Sequence, residues 1–167
     1  YLEQYARTWG QPQQRMMLFS LNSTSGLKNI QTNANPTSYP QLSDDGKVLT
    51  YINDGNSSSI YDSRAHFSTL NGGVYTPSSE IVAPTGFLGY GDTSVSLSGT
   101  GSFAAAAWVR MGTDLPGKNA GDAVTLEEQN LLMNSTEIVV SVYNGSTWTS
   151  TRLTNDGTPD LAPATAV

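Results

Sequence analysis

The sequence predicts an all-β protein, and three observations support this fold class. Apolar and β-branched residues occur in short runs of strand length, and many of them alternate with polar residues. Clusters of Gly, Asn, Asp and Ser separate the runs, as turns do. Charged residues make up 13% of the chain, against roughly 25% in an average globular protein. Neutral hydrogen-bonding residues take their place, which is typical of strand-and-turn proteins.

Four runs are the clearest strand predictions. They are MMLFSL at 16–21, KVLTYI at 47–52, SFAAAAWV at 102–109 and EIVVSVY at 137–143. The alanines of the third run favour a helix by intrinsic propensity. Gly101 before this run and Trp108-Val109 at its end favour a buried strand instead.

Turn signals and two less regular stretches complete the element prediction. Asn71-Gly72 and Asn144-Gly145 predict tight hairpins, because both residue types tolerate positive φ. Residues 1–14 are interpreted as a lead-in or edge segment. Residues 112–134 are interpreted as an insertion between strands, formed by a short helix or a long loop.

An internal repeat organises residues 15–167. Leu97 follows Leu42 by 55 positions, and Gly101 follows Gly46 by the same distance. A third copy is centred on Leu161, after the insertion. The copies are predicted at about 15–55, 56–111 and 135–167.

Such a repeat predicts a partial β-propeller of about two to three four-stranded antiparallel blades. A single blade cannot bury both of its faces, so blades stack around an axis. The glycine after each polar turn is expected to let the chain enter a crowded inner strand. A complete propeller typically has about four to eight blades, so the remaining blades are expected on the same or a companion chain. A closed β-sandwich with an accidental period is the alternative.

Two segments resemble known propeller families. Residues 39–52 (YPQLSDDGKVLTYI) resemble the repeat of TolB-type β-propellers, in which Pro, an apolar residue, Ser and a turn ending in Asp-Gly-Lys precede an apolar strand. Residues 138–161 resemble the blade hairpins of sialidase-like surface propellers through YNGSTW and LTNDGTPD. The second copy lacks the Pro and Asp-Gly, and the third lacks the Gly. The resemblance implies a segment of a bacterial or archaeal surface protein, extracellular or at the cell surface.

Composition excludes several classes of function. The net charge is −6, and the scattered cations form no basic stripe for a nucleic acid. No apolar run approaches the roughly 20 residues that span a bilayer, so no membrane insertion is expected in this segment. The chain has no cysteine, which excludes disulfides and thiolate chemistry. The N-terminus lacks the pattern of a secretory signal, so any export signal is expected to have been removed or to lie upstream.

No catalytic residue is predicted. His66 is the single histidine, no Gly-x-Ser-x-Gly elbow accompanies it, and it is interpreted as a structural or surface residue. The carboxylate pairs are interpreted as turn and cap residues rather than as a glycosidase pair. The arginines are scattered along the sequence, whereas a sialidase needs a cluster. The carboxylate pairs are Asp44/Asp45, Glu127/Glu128 and Asp156/Asp160.

Binding and modification sites are predicted in turns. Asp54 and Asp156 offer oxygen ligands for Ca²⁺ on tight loops, with plain turns as the preferred interpretation and no other cofactor expected. Tyr143 and Trp148 could stack on a sugar ring or pair across their hairpin. Sequons that predict N-glycosylation, unless they arise by chance, occur at Asn22, Asn56, Asn134 and Asn144.

The sequence therefore predicts a non-catalytic extracellular β-propeller segment for scaffolding, adhesion or binding of a glycan or protein ligand. One alternative is part of a secreted glycoside hydrolase or sialidase-like enzyme whose catalytic residues lie partly outside this chain. Another is a TolB-like periplasmic domain that binds a partner protein. Further blades that carry an arginine cluster and facing carboxylates would favour the enzyme.

Overall fold

In a computed structural model, the chain is mostly β, with two antiparallel sheets and one short helix in the part that the structure describes. Residues 40–53, 63–87, 91–113 and 125–167 are described in full, and residues 2–6, 12–22 and 26–34 as strand backbone. The elements are β1 (Leu2–Ala6), β2 (Pro12–Asn22), β3 (Gly26–Ala34), β4 (Gln41–Leu42), β5 (Val48–Asn53), β6 (Arg64–Asn71), β7 (Val74–Tyr75), β8 (Ser79–Glu80), β9 (Asp92–Gly99), β10 (Ala104–Met111), α1 (Leu126–Met133), β11 (Thr136–Tyr143) and β12 (Trp148–Arg152).

The first sheet has the strand order β1-β2-β3-β5-β6-β7, with β4 paired to β5 and β8 paired to β6. The predicted hairpin at Asn71-Gly72 joins β6 to β7, with positive φ at Gly72. Both β7 and β8 pair with the edge of β6 opposite β5, so together they act as one interrupted strand. β1 lies at the edge of the sheet, and β2 begins at Pro12, so the predicted boundary at residue 14 falls within a strand.

The second sheet is a simple meander, β9-β10-β11-β12. The alanine run forms β10, as predicted, and pairs with β9 and β11 on its two sides. The predicted turn at Asn144-Gly145 joins β11 to β12. Asn144 closes this turn by accepting hydrogen bonds from the Ser146 and Thr147 N–H groups, at 3.0 and 2.9 Å.

The stretch predicted as an insertion contains the helix α1. Thr125 and Glu128 form a capping box that starts the helix. The Glu128 N–H donates to Thr125 Oγ1 at 3.1 Å, and the Thr125 N–H donates to Glu128 Oε2 at 3.2 Å. Leu132 is the buried residue of the helix. The helix is therefore set by local capping more than by an apolar face.

The two sheets share one hydrophobic core. Sheet 1 contributes Val48, Ile52 and Ala65 to it, and sheet 2 contributes residues that include Trp108 and Val139. Burying a side chain such as Val or Ile stabilises the fold by roughly 1.5–3 kcal/mol. The contact between the sheets therefore stabilises both.

The central strands are buried on both faces. Every residue of β5 from Val48 to Ile52 is at most 6% exposed, although successive side chains point to opposite faces. In β10, residues 106 to 109 are likewise buried. A sheet with one solvated face would alternate between buried and exposed positions, and these strands do not.

The leucines that mark the sequence repeat do not occupy equivalent positions. Leu97 is 9% exposed, whereas Leu42 is 56% and Leu161 is 74% exposed. In the same way, Val48 is fully buried and Phe103, 55 positions later, is 50% exposed. Residues that are 55 positions apart in the sequence therefore lie on opposite faces of their sheets. Successive side chains of a strand point to opposite faces, so an alignment that is wrong by one residue pairs a buried position with an exposed one. The strand order recurs instead: β4-β5-β6-β7/β8 in one sheet and β9-β10-β11-β12 in the other.

The crowding predicted at the glycines is absent at Gly46 and present at Gly101. Gly46 has a φ of +67°, and a Cβ there would meet nothing within 4 Å, so the turn requires a left-handed backbone rather than space. At Gly101, a Cβ would lie 2.6 Å from Lys47 Cβ in the neighbouring sheet.

The two ends of the sheets differ in their connections. Short turns lie at one end, which we call the turn end: residues 43–47, 72–73, 100–103 and 144–147. At the opposite end β5 ends at Asn53 and β10 ends at Met111; this end also carries the helix α1 and the segment after Arg152, and we call it the connection end. No helix within the described residues is long and apolar enough to cross a membrane.

Candidate functional site

Four charged side chains gather between the sheets near the connection end. Asp92 begins β9, Arg110 lies near the end of β10, Glu137 near the start of β11, and Arg152 ends β12. The strand register sets Arg110 opposite both Asp92 and Glu137. We call these four residues the charge row.

The charge row consists of two ion pairs. Arg110 Nε lies 3.7 Å from Asp92 Oδ1, and Arg152 Nη2 lies 2.9 Å from Glu137 Oε1. The side chains of Asp92, Arg110 and Glu137 are at most 9% exposed, and that of Arg152 is 27% exposed. Burying such charges is costly unless they are paired. The two acids and two arginines together leave the row electrically neutral.

Phe87 lies against both arginines of the row. Its ring centroid is 5.8 Å from the guanidinium carbon of Arg110 and 4.7 Å from that of Arg152. These are cation–π distances. The ring therefore holds both guanidinium groups in place and shields them from water.

The charge row also joins the two sheets. The Ala65 N–H donates to Asp92 Oδ2 at 2.8 Å, and the Asp92 N–H donates to the Ser63 carbonyl at 2.9 Å. Nearby, Arg64 Nε lies 3.9 Å from Glu80 Oε1. Asp92 is a residue of sheet 2, and these two hydrogen bonds tie it to the backbone at the start of β6 in sheet 1.

Three of the five arginines lie near one another in the part of the chain that the structure describes. Arg64, Arg110 and Arg152 come from strands that end close together, and each pairs with a carboxylate. Their separation along the sequence did not indicate this proximity. An anion-binding cluster, however, needs arginines that are accessible and not already neutralised. We therefore interpret these three arginines and their carboxylate partners as residues that stabilise the fold.

Burial raises the pKa of Asp92 from 3.8 to about 6, against the opposing effect of Arg110. A raised carboxyl pKa occurs in active sites and also in structural ion-pair networks. Asp92 is 0% exposed, so no substrate can reach it in this conformation. Its raised pKa is a property of the interface between the sheets.

Of the two predicted sugar-stacking residues, Tyr143 lies in the core and Trp148 is partly buried against it. Tyr143 is 5% exposed and pairs in register with Trp148, with 5.0 Å between ring centroids. Phe67 of the other sheet lies 5.7 Å from Trp148 and 6.3 Å from Tyr143. The three rings pack on one another across the two sheets. This arrangement agrees with the cross-strand interpretation and leaves Tyr143 with no open face for a ligand.

The predicted calcium ligands do not form a site in the described residues. Asp156 Oδ1 accepts hydrogen bonds from the Thr158 N–H at 3.0 Å and the Thr158 hydroxyl at 2.5 Å, which lower the pKa of Asp156. Asp54 lies outside the described residues. No three acidic or histidine side chains come together as metal ligands in the part of the chain that the structure describes.

The other paired carboxylates have turn and cap roles, as the sequence predicted. Asp45 accepts from the Gly101 N–H, 3.0 Å from both of its oxygens, and from the Lys47 N–H at 3.1 Å. These bonds, that of Gly101 first, lower the pKa of Asp45 to about 2. Asp160 accepts from the Thr154 hydroxyl. Asp45 therefore also links the turn of sheet 1 to sheet 2.

His66 lies on β6 and pairs with a serine that the sequence did not indicate. His66 Nδ1 lies 2.6 Å from Ser78 Oγ, and its ring centroid is 6.1 Å from that of Tyr51. Burial, with a smaller effect of Arg64, lowers the pKa of His66 from 6.5 to about 4. A general base works best with a pKa near the operating pH. His66 is neutral at pH 7 and is a weak base there.

The sequons fall at different kinds of position. Asn144 and Asn134 are exposed, the first in the β11–β12 turn and the second at the end of α1. The Ser146 hydroxyl donates to Asn144 Oδ1 at 2.9 Å. Asn22 ends β2, where the backbone alone is described, and Asn56 lies outside the described residues.

Sequence reasoning missed the charge row because its members are far apart along the chain. One signal was present: Arg110 and Glu137 interrupt otherwise apolar strands, next to Trp108-Val109 and Ile138-Val139-Val140. A charged residue in such a strand indicates a buried partner.

Fold and site together define a two-sheet, all-β domain with a buried and neutral row of charges. The chain matches no protein family model, and no curated protein or solved structure is similar to it.

Proposed function

We propose that this chain is a non-catalytic segment of an extracellular or cell-surface β-propeller that serves in scaffolding, adhesion or binding of a glycan or protein. The observation that carries the proposal is the recurrence of one strand order in two packed sheets. Within residues 41–80 of the first sheet, as in the second sheet, a first strand, a turn and three further antiparallel strands follow in sequence, with β7 and β8 counted as one interrupted strand. Blades of a propeller are built in this way. The first sheet also contains β1, β2 and β3, of which β3 pairs with β5.

The burial of the central strands supports blades more than a two-layer sandwich. In a sandwich, each sheet has one solvated face. Here β5 and residues 106–109 of β10 are buried on both faces. The TolB-like residues 39–52 include β4, its turn and most of β5, and Asp45 of that turn bonds to Gly101 of the next sheet.

The contacts of the titratable groups support a non-catalytic role. His66 is neutral, Asp45 and Asp156 close turns, and Asp92 is buried against Arg110. A glycosidase needs two carboxyl groups that both face the substrate. A sialidase-like enzyme would also need accessible arginines, and the three in this group are paired.

The connection end is the proposed binding surface. Functional residues concentrate in long connections that a rigid scaffold positions. On α1, Leu126 is 72%, Leu131 49% and Met133 56% exposed. Exposed apolar side chains of this kind can contact a sugar ring or an apolar patch of a partner protein.

Glycan-array and protein pull-down experiments with the chain test this proposal. The double variant Leu126→Ser/Leu131→Ser should lose most of the binding, because it removes the apolar surface of α1. Phe103→Ser is the matched control: Phe103 is also 50% exposed but lies at the turn end, so binding should be retained. Equal binding by wild type and the double variant contradicts the proposed surface. Hydrolytic turnover of a bound glycan contradicts the non-catalytic role.

A further inference from the structure

We propose that the outer face of sheet 2 is a docking face for a third antiparallel sheet with small, uncharged side chains. The outer face consists of the alternate residues of β9 to β12 that point away from the shared core. The strand register aligns them in rows, and the central row is Ser96, Ala107, Val140 and Thr151. This inference rests on the proposed propeller architecture and identifies the partner of one surface.

The composition of the outer face is unlike that of a solvated sheet. Strands β9 to β12 are described in full, and every outward position carries Ser, Thr, Ala, Val, Ile, Leu or Met. The chain has eight basic and 14 acidic residues, and none is on this face. The inward positions of the same strands include all four members of the charge row. A solvent-facing sheet surface normally carries charged and polar residues.

The outer face is partly covered and partly open. Over β10, Ala107 and Val109 are each 3% exposed. Further along the same sheet, Val142 is 38% and Leu153 is 64% exposed. Leu153 extends β12, since its N–H donates to the Ile138 carbonyl at 2.8 Å. An apolar surface therefore remains open over β11 and β12.

Contacts at the covered edge indicate what occupies this face. The segment 158–167, which carries the motif of the predicted third copy at 135–167, reaches the outer side of β9. Thr165 donates through its N–H to Ser96 Oγ at 3.1 Å, and the two hydroxyl groups lie 3.0 Å apart. On the inner side, β9 itself packs on β4 and β5 of sheet 1. The first strands β4 and β9, and then the segment 158–167, which forms no strand, thus follow one another in space.

A third sheet that continues this order would lie on the open part of the face. Small and β-branched side chains allow two sheets to approach to about 10 Å. A charged partner surface would be desolvated without a counter-charge, which is unfavourable. The occupant is therefore an uncharged antiparallel sheet of the same kind.

Self-association of the chain tests the docking face, because a second copy presents the nearest available sheet of this chemistry. Sedimentation velocity should show concentration-dependent association of the wild type. Val142→Lys and Leu153→Lys should each reduce association at least tenfold, since both place a charge on the face. Val82→Lys is the control: Val82 is 72% exposed and lies outside sheet 2, so association should persist.

Circular dichroism and thermal unfolding should show that Val142→Lys and Leu153→Lys remain folded like the wild type, because both side chains are already exposed. A wild type that stays monomeric at all concentrations overturns the inference, as does Val142→Lys that associates as strongly as the wild type. Ligand binding through α1 should be unchanged in Val142→Lys. Val142→Lys that no longer associates but still binds the ligand supports this inference independently of the proposed function. Wild type that associates but binds no ligand would contradict the proposed function alone.

Discussion

One buried side chain, Asp92, and one half-buried side chain, His66, respond to pH in opposite directions. The pKa of Asp92 is raised to about 6, so the folded protein holds this proton more tightly than the unfolded chain between pH 4 and 6. The pKa of His66 is lowered to about 4, so the folded protein holds that proton less tightly up to pH 6.5. Their contributions to the free energy of unfolding therefore oppose each other in the same pH range.

Asp92→Asn should remove one of these contributions. The stability that protonated Asp92 provides is present below about pH 4 and is lost as the pH rises through 6, by an amount on the order of 3 kcal/mol. In the variant this loss is absent; below about pH 4, where Asp92 is itself uncharged, Arg110 lacks a charged partner in both proteins. Urea unfolding at intervals from pH 4 to 7 measures the difference. Wild-type and variant curves that run parallel would contradict the assignment.

His66→Gln should reveal the opposite slope. The contribution of neutral His66 is present above pH 6.5 and is lost as the pH falls through 4. Relative to the wild type, the variant should therefore gain stability as the pH is lowered across this range. An NMR titration of the His66 ring in the wild type should give a midpoint near pH 4. A midpoint near 6.5 would show that the ring is not buried as the structure has it.

For single residues, the sequence predicted the roles that depend on neighbouring residues and missed the contacts between residues far apart in the chain. The turn role of Asp45 and the core position of Trp108 follow from neighbouring residues, and the structure confirms both. The pairing of Asp92 with Arg110 depends on how β9 and β10 align, which no local pattern states.

Among the elements, the turn between β9 and β10 is more constrained than the one between β4 and β5. Gly99 has a φ of +105°, and a Cβ there would lie 2.4 Å from the Phe103 carbonyl oxygen. Gly46 has a φ of +67° with open space around it. The Phe103 carbonyl oxygen belongs to the backbone and cannot move aside as the end of a flexible side chain can. A Cβ at position 99 would therefore clash, whereas a Cβ at position 46 would not.

Gly99→Ala should therefore destabilise the protein at least twice as much as Gly46→Ala. Gly46→Ala is destabilised only by the left-handed backbone conformation of the alanine, which costs roughly 1–2 kcal/mol. Gly99→Ala adds a clash with the backbone that requires the turn to move. Midpoints of chemical denaturation measure both, with the wild type as reference. Equal losses for the two variants would argue against the close approach at Gly99.

Strands and hairpins were predictable because their signals are local. The alanine run became β10, and both Asn-Gly dipeptides lie in connections between adjacent strands. The repeat failed as a guide to burial because an offset of 55 aligned opposite faces, as Leu42 and Leu97 show.

For the molecule as a whole, the shared core predicts that both sheets unfold together. The rings of Phe67, Tyr143 and Trp148 pack across the boundary between the sheets. Phe67→Ala should lower the free energy of unfolding by roughly 3 kcal/mol. Far-UV circular dichroism and tryptophan fluorescence should follow one transition in both proteins. Two separated transitions would show that the sheets are independent.

The relation between the sheets could not be read from the sequence. It depends on contacts between residues far apart, such as the bond from Gly101 to Asp45 and that from Ala65 to Asp92. The order of strands along the chain limits the possible arrangements, but these contacts select one of them.

The unequal connections at the two ends make the chain suitable for displaying foreign peptides. Lengthening a surface loop costs little, about 0.6 kcal/mol for each doubling, so an epitope inserted between β10 and β11 should leave the fold intact. The same insertion at residues 144–147 would separate Asn144 from the donors that close its hairpin. The connection end is thus expected to tolerate an inserted peptide, whereas the turn end is not.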